Sequence, residues 1–223
     1  MPYPMGAIYD NAASLEETVN VSILSTDVAA DQARLEELGA GVVVAATQVS
    51  DVTTFSRMSD PAGNVFSLFA NNQTPDRLQD FAEQGQQQME QLARQPTPGS
   101  YAWFEIGTTD PKATEDFYGK AFGWRFVFDD TAGGKQYYNI FTGNQWPSGG
   151  MYDHVATGQG VNYLMPCFLV TEVPATTAKA EKLGATAEFG PDTNPDGLVY
   201  SRLVDPRGNR FGLLSAPTNT QNA

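Results

Sequence analysis

Cysteine and histidine are almost absent from this chain of 223 residues, which has one of each. A single cysteine, Cys167, excludes an internal disulfide framework and any metal site built from several thiolates. His154 is the one histidine; it follows Asp153 in a predicted loop, and we expect it to be exposed to solvent rather than bound to a metal. A site made only of oxygen ligands would need converging carboxylates. The candidates Glu105, Asp153 and Asp196 are scattered along the chain.

Positive charge and long apolar runs are also scarce. Lysine and arginine number 13 against 26 aspartates and glutamates, a formal net charge of −13. Such a chain is a poor partner for nucleic acid or for an anionic membrane surface. No apolar run approaches the length of a membrane span, and the first ten residues lack the basic and apolar regions of a signal peptide. We therefore predict a cytoplasmic protein with no membrane or nucleic-acid partner.

Common sequence motifs for nucleotide binding and hydrolysis are missing as well. The chain has no P-loop, no Rossmann fingerprint, no nucleophile elbow and no HExxH sequence. The two glycines at 158 and 160 lie in a predicted loop without the strand and helix that a nucleotide site needs. Function must therefore be sought in the organisation of the chain.

That organisation is a repeat. With a constant offset of 145, "FSRMSDPAGNVFSLF" at 55–69 aligns with "YSRLVDPRGNRFGLL" at 200–214. The similarity covers 20–70 and 165–215 without a gap. Further upstream, "PMGAIYDN" at 4–11 matches "PSGGMYDH" at 147–154. Internal repeats of this kind indicate a fold assembled from copies of one supersecondary unit.

Each copy is predicted to be a βαβββ module. Helices are indicated by Asp110 and Pro111 at a start, by Pro174 in a first turn, and by Gly39 and Gly184 at helix ends. The fold class is therefore α+β, with paired modules forming one curled half-barrel sheet. We predict a truncated half at 1–70 (a tail strand at about 4–10 plus one module), a helical linker at 71–99, a complete domain of two modules at 100–216, and a disordered tail at 217–223.

The βαββ portion expected before Pro4 is missing from the first half, either naturally or as an artefact of the assigned gene start. If it is missing naturally, we expect one sheet face and one edge to need cover. Three elements could supply it: a helix predicted at 76–94 in the linker, the other half of the chain, or a second chain. The linker helix has one apolar stripe, formed by Leu78, Phe81, Met89 and Leu92. It is either a tether packed on its own chain or a dimer-forming helix. A homodimer through the truncated half or helix 76–94 is therefore one prediction.

The paired modules, the "DPxGNxFxL" turn and strand, and the opening "WFEIGTTDPKATEDFYGKAFGW" resemble the vicinal oxygen chelate superfamily. That superfamily includes glyoxalases, bleomycin-resistance proteins and extradiol dioxygenases. The resemblance is greatest to two-domain bacterial glyoxalase-like proteins. It implies two modules curled around a cavity, and it leaves function open because the superfamily hosts many chemistries.

In metal-dependent members, the resemblance implies one ligand on the first strand and one, usually Glu, on the last strand of each module. The last-strand position here holds Gly212, or Ser67 in the truncated half. The first-strand position aligns with Tyr101, Met165 and Asn20, and the remaining one falls near Gly150 or Met151. None of these completes a His/Glu set, so we predict no metal and no other cofactor.

The predicted cavity follows from strand alternation, which puts Tyr101, Trp103 and Glu105 on one face. Either Tyr137 or Tyr138 joins them; we take Tyr138. Gly212 would widen the cavity floor, and Glu105 or Arg210 would orient a small or flat organic ligand. The same aromatic side chains could instead fill the inner face as core. The predicted ligand-binding residues are Tyr101, Trp103, Glu105, Tyr138, Met151, Met165, Cys167, Arg210 and Gly212.

Three functions remain open at this point. The first is a metal-free protein that binds a small organic or aromatic molecule. The second is an enzyme of glyoxalase, dioxygenase or hydroxylase type, with an atypical metal site or with Glu105, its pKa raised by desolvation, as the base. The third is that the truncated half serves as an assembly element between chains, in addition to either of the first two functions. Cys167 is expected to be a small buried hydrophobe rather than a nucleophile.

Overall fold

The computed structural model of the chain describes residues 18–71, 97–132, 136–155 and 160–215. The predicted tail strand at 4–10, helix 76–94 and the tail at 217–223 lie outside these residues. The described elements, in chain order, are β1 (Val21–Leu24), α1 (Val28–Glu37), β2 (Gly41–Ser50), β3 (Thr53–Ser59), β4 (Val65–Asn71), β5 (Tyr101–Thr108), α2 (Pro111–Phe122), β6 (Arg125–Phe128), β7 (Tyr137–Phe141), β8 (Gly149–Asp153), β9 (Tyr163–Leu169), α3 (Val173–Lys182), β10 (Thr186–Thr193), β11 (Val199–Val204) and β12 (Arg210–Ser215).

The strands repeat one connection pattern three times. The first sheet has the order β1-β4-β3-β2, and the second contains β5-β8-β7-β6 and β9-β12-β11-β10. Antiparallel pairing of β5 with β9 joins the last two modules into one sheet of eight strands. In each module the first and last strands pair in parallel, as the intervening helix requires. The predicted α+β fold of βαβββ modules is therefore confirmed.

The helices begin and end where the sequence signals stand. The Asp110 side chain accepts a hydrogen bond from the backbone N–H of Ala113, and Pro111 opens α2. Gly123 ends it in the left-handed conformation, with φ of 69°. Asp27 caps α1 in the same way, through the N–H of Ala30. None of the helices in the described segments combines the length and the apolarity that a membrane span requires.

One hydrophobic core joins the first module to the complete domain. Phe66 of β4 is fully buried, and its ring centroid lies 6.0 Å from that of Phe122 and 6.3 Å from that of Tyr118, both on α2. Tyr118 in turn stacks on Trp124 at 5.0 Å. The other half of the chain, through α2, therefore joins the module's own helix α1 in covering one face of the first sheet.

The two "DPxGN" turns are built alike but sit in different surroundings. In each, the aspartate accepts hydrogen bonds from two backbone N–H groups and the Asn side chain, at Asp60 and Asp205 respectively. Only Asp60 also accepts a bond from a buried tyrosine, Tyr118, at 3.1 Å. The burial of Asp205 would raise its pKa, but the bonds from Asn209 and the turn N–H groups outweigh this and lower it. The first turn thus also helps to hold the two halves together.

Candidate functional site

The inner face of the eight-stranded sheet brings together six of the nine predicted ligand-binding residues. On β5, Trp103 and Glu105 lie on this face. A register shift between Tyr101 and Trp103 places Tyr101 opposite Phe168 and against the helix-side core, so its predicted place in the lining was wrong. Trp103 pairs with Cys167 across the β5–β9 junction, and Glu105 pairs with Met165. Cys167 pairs with Gly212 on β12, and Arg210 lies two residues before Gly212 on the same strand. Met165 and Cys167 are buried, whereas the side chains of Trp103 and Glu105 are partly exposed. This β5 pair is therefore the part that a ligand could reach.

Glu105 is the centre of a hydrogen-bonded group. Tyr163 donates to its Oε1 at 2.6 Å, and Tyr137 donates to its Oε2 at 3.5 Å. Trp103 donates from Nε1 to the Tyr137 hydroxyl at 3.0 Å. The Arg202 guanidinium lies 4.0 Å from Oε1. Two hydroxyl donors and a nearby cation stabilise the ionised carboxylate on a largely buried face.

Arg202 extends this group to a second carboxylate. Its Nη1 donates to the Tyr163 hydroxyl, and its Nε lies 3.2 Å from Glu188 Oε2, an ion-pair contact outside hydrogen-bond geometry. Glu188 also binds Arg210 in a two-pronged pair, at 2.8 Å and 3.0 Å. Burial alone would lower the pKa of Arg202, but Tyr163, Glu105 and Glu188 raise it above its usual value. The guanidinium is therefore a permanent cation beside Glu105.

The two tyrosines of this group remain protonated. Burial raises the pKa of Tyr163 and of Tyr137 well above the usual phenol value, and the negative charge of Glu105 raises both further. Each hydroxyl is thus available as a hydrogen-bond donor throughout the physiological pH range.

Glycines form the floor beneath these side chains. A Cβ atom at Gly107 would collide with the ring of Tyr163, and one at Gly150 with the Tyr137 hydroxyl. At Gly212 the added atom would lie 2.5 Å from Cys167 Sγ and 3.1 Å from its Cβ. Gly212 therefore does not widen the cavity as the sequence suggested, because Cys167 fills the space.

This close approach predicts the effect of a side chain at Gly212. Gly212→Ala should lower the free energy of unfolding by about 1–3 kcal/mol, because the buried Cys167 has no room to move aside. Combining it with Cys167→Gly should recover part of that loss. Chemical denaturation of the wild type and the three variants measures both effects. Simple additivity of the two single costs would contradict the contact.

Besides Tyr101, two predicted lining residues lie elsewhere. Met151 is fully buried and Tyr138 is partly buried, both in the core shared by the helices. Gly150, not Met151, is opposite Glu105 in the register, so strand alternation turns Met151 to the other face. Tyr137 occupies the inner face in place of Tyr138. The placement of Tyr138 and Met151 in the lining was therefore wrong.

The thiol of Cys167 and the imidazole of His154 are both buried. Burial raises the pKa of Cys167 well above the usual thiol value, and Glu105 raises it further, so the group is a poor nucleophile. His154 is only 5% exposed; its ring lies 4.8 Å from that of Tyr152 and 5.7 Å from that of Tyr163. The expectation of a solvent-exposed histidine was wrong, because these rings enclose it.

The inner face does not fit a divalent metal of the kind that metal-dependent superfamily members hold. Gly212 carries no ligand atom, and the neighbouring carboxylate, Glu105, has a guanidinium 4.0 Å away. A fixed positive charge there opposes a second cation. Within the described segments, no group of three His, Cys, Asp or Glu side chains could hold a metal ion.

Arg202, Glu188, Tyr163 and Tyr137 were missing from the predicted site. The repeat contained a signal for the first of them, since Arg202 aligns with Arg57 in the matched "FSRM" and "YSRL" segments. Glu188 had no such signal, because the aligned residue is Val43. Tyr137 was left open against its neighbour, and Tyr163 precedes the apolar run that marked β9.

The fold and this inner face define a protein of the vicinal oxygen chelate class. The family model for a glyoxalase-like domain matches residues 103–214, half of the chain. The chain belongs to this family. The predicted resemblance is therefore confirmed.

Known proteins similar to this chain include glyoxalases and dioxygenases. The Mn(II)-bound glyoxalase from Novosphingobium aromaticivorans superposes with a TM-score of 0.53 at 17% identity, covering 90% of this chain and 62% of that one. Homoprotocatechuate 2,3-dioxygenase from Arthrobacter globiformis gives a TM-score of 0.51 at 17% identity, covering 88% and 61%. At these identities the likeness shows the fold alone.

A curated relative is the anthracycline biosynthesis protein DnrV from Streptomyces peucetius. It is 25% identical over 181 residues, which are 81% of this chain and 59% of DnrV. The chain therefore spans less than two thirds of the length of that relative.

Proposed function

We propose that the chain binds a flat, oxygen-bearing aromatic molecule on the inner face of its C-terminal half. The observation that carries the proposal is the partly exposed pair of Trp103 and Glu105, backed by the Arg202 cation. Aromatic side chains offer a large rigid apolar surface. A few fixed polar groups beside it orient a ligand. In this proposal Glu105 accepts a hydrogen bond from a ligand hydroxyl.

The similarity to an anthracycline biosynthesis protein supports an aromatic ligand, since anthracyclines are polycyclic aromatic compounds. The misfit of the inner face to a divalent metal supports binding without one. A cytoplasmic location and a homodimer complete the proposal as the sequence predicts them.

The test is to measure the binding of 1,4-dihydroxyanthraquinone, a planar hydroxylated probe, by isothermal titration calorimetry. Trp103→Leu should weaken binding at least about tenfold, because it removes an aromatic contact from the centre of the site. Trp146→Leu is the matched control, since Trp146 is 69% exposed and lies outside the site. Equal affinities of the two variants, with both folded by circular dichroism, would rule out this face as the binding site.

An enzymatic function of glyoxalase, dioxygenase or hydroxylase type is the second candidate. The short contact between the Tyr163 hydroxyl and Glu105 favours it, because an acid–base pair needs groups within hydrogen-bond distance. Under this proposal, Glu105→Gln would abolish conversion of a bound aromatic substrate while leaving its affinity within a few fold. Under the binding proposal, mass spectrometry would detect no conversion by the wild type.

A further inference from the structure

The first module contains a second arginine in the same position as Arg202. Arg57 on β3 pairs with Ser67 on β4, as Arg202 on β11 pairs with Gly212 on β12. The offset of 145 relates both pairs. The two arginines are therefore structural counterparts on the inner faces of two modules.

A β-bulge next to each arginine is also shared. In the complete domain the register jumps between Ala187 and Phe189, which leaves Glu188 as the extra residue opposite Arg202. In the first module it jumps between Val42 and Val44, which leaves Val43 as the extra residue beside Arg57, whose partner in the register is Val44. A bulge redirects the extra side chain. Positions 188 and 43 are thus equivalent, but only the former carries a carboxylate.

The guanidinium of Arg57 therefore lacks the carboxylate partner that Glu188 provides for Arg202. Glu188 Oε2 lies 3.2 Å from Arg202 Nε. At the equivalent place Val43 is 51% exposed and offers no acceptor. The Nε atoms of Arg57 and Arg202 are both buried without a hydrogen bond, but Arg202 has carboxylates beside it and Arg57 has no ion-pair partner among the described residues. A buried unsatisfied donor of this kind calls for an acceptor from outside the module.

We propose that the first module binds the carboxylate of a small organic acid at Arg57. The carboxylate takes the place relative to Nε that Glu188 takes in the complete domain. Arginine and carboxylate are matched in geometry and charge. Phe55, which alternation puts on the same face two residues before Arg57, and the exposed Val43 provide an apolar surface for the body of the acid. An aromatic carboxylate fits both features.

Arginine Nε–Hε signals in ¹H–¹⁵N NMR spectra of the full chain provide the test. Benzoate is the probe, with benzamide as its uncharged control and chloride at matched ionic strength as the screening control. Arg57→Lys and Arg202→Lys assign the two signals. We expect benzoate to move the Arg57 signal saturably, and to leave the Arg202 signal in place because Glu188 occupies that position.

Val43→Glu provides an internal competitor. It should shift the Arg57 signal without any added acid and weaken benzoate binding by about tenfold or more, as expected when a charge-assisted pair already occupies the donor. Val52→Glu is the matched control: Val52 is also exposed, at 41%, and lies outside the bulge. It should leave benzoate binding within about twofold, since an added surface charge of this kind has a small effect.

Three results would overturn the proposal. If chloride moves the Arg57 signal as benzoate does, the effect is screening. If benzamide does so, the site recognises only apolar surface. The carboxylate could instead come from an acidic side chain of a second copy. In that case the signal would move with protein concentration, and sedimentation would show a dimer that Arg57→Lys dissociates.

Discussion

Phe66→Ala is expected to lower the free energy of unfolding by about 3–5 kcal/mol, the range for removing a fully buried aromatic ring from a core. Phe66 is 0% exposed and packs on Phe122 and Tyr118 of α2. The loss should therefore reduce the stability of both halves of the chain together. Chemical denaturation followed by tryptophan fluorescence measures it, because Trp124 lies in the same core.

Phe211→Ala is the matched control for this prediction. Phe211 is the counterpart of Phe66 in the last module, but it is only partly buried and packs in a separate cluster against α3. We expect a smaller loss, of about 2 kcal/mol. Equal losses for the two variants would contradict the conclusion that packing on α2 stabilises the first module.

The fold could be predicted from the sequence because the same local signals occur in successive copies. Asp110, Pro111 and Gly123 mark a helix by capping chemistry alone. The "DPxGN" turns owe their shape to contacts within five residues, in which the aspartate holds the backbone N–H groups. Local signals of this kind do not depend on the rest of the fold, so a sequence reader can recover them.

The site could be predicted only in part, because a pattern along one strand does not contain the register between strands. Alternation grouped Trp103 with Glu105, but it could not foresee the bulge that turns Tyr101 to the other face. It could not choose between Tyr137 and Tyr138, since adjacent residues always face opposite ways. The choice depends on the pairing of Tyr138 with Met151, which turns both toward the core.

The charge pairs could not be predicted either, because they also depend on the register between strands. Glu188 reaches Arg202 from another strand and across a bulge, which shifts the register by one residue. Similarly, His154 is buried because the chain folds back on it: Tyr152 flanks the ring on one side, and Tyr163 and Gly160, where a Cβ atom would collide with the ring, lie on the other. Tertiary packing decides such positions, and the local sequence does not.

Arg202→Met is expected to destabilise the protein by about 3 kcal/mol, the lower end of the range for removing one partner from a buried ion pair. The side chains of Arg202 and Glu105 are only 19% and 16% exposed. Removal of the guanidinium leaves Glu105 with its tyrosine donors but without a compensating positive charge. Differential scanning calorimetry at neutral pH measures the loss.

Two further variants separate charge from packing. Glu105→Gln combined with Arg202→Met should recover much of the loss, because the uncompensated charge is then gone. Arg57→Met should change stability by no more than about 0.5 kcal/mol, because its guanidinium has no ion-pair partner among the described residues. If Arg57→Met costs as much as Arg202→Met, the loss reflects the aliphatic stem packed on the sheet. If only Arg202→Met is costly and the double variant restores stability, the cation on the inner face stabilises the carboxylate that a ligand would meet.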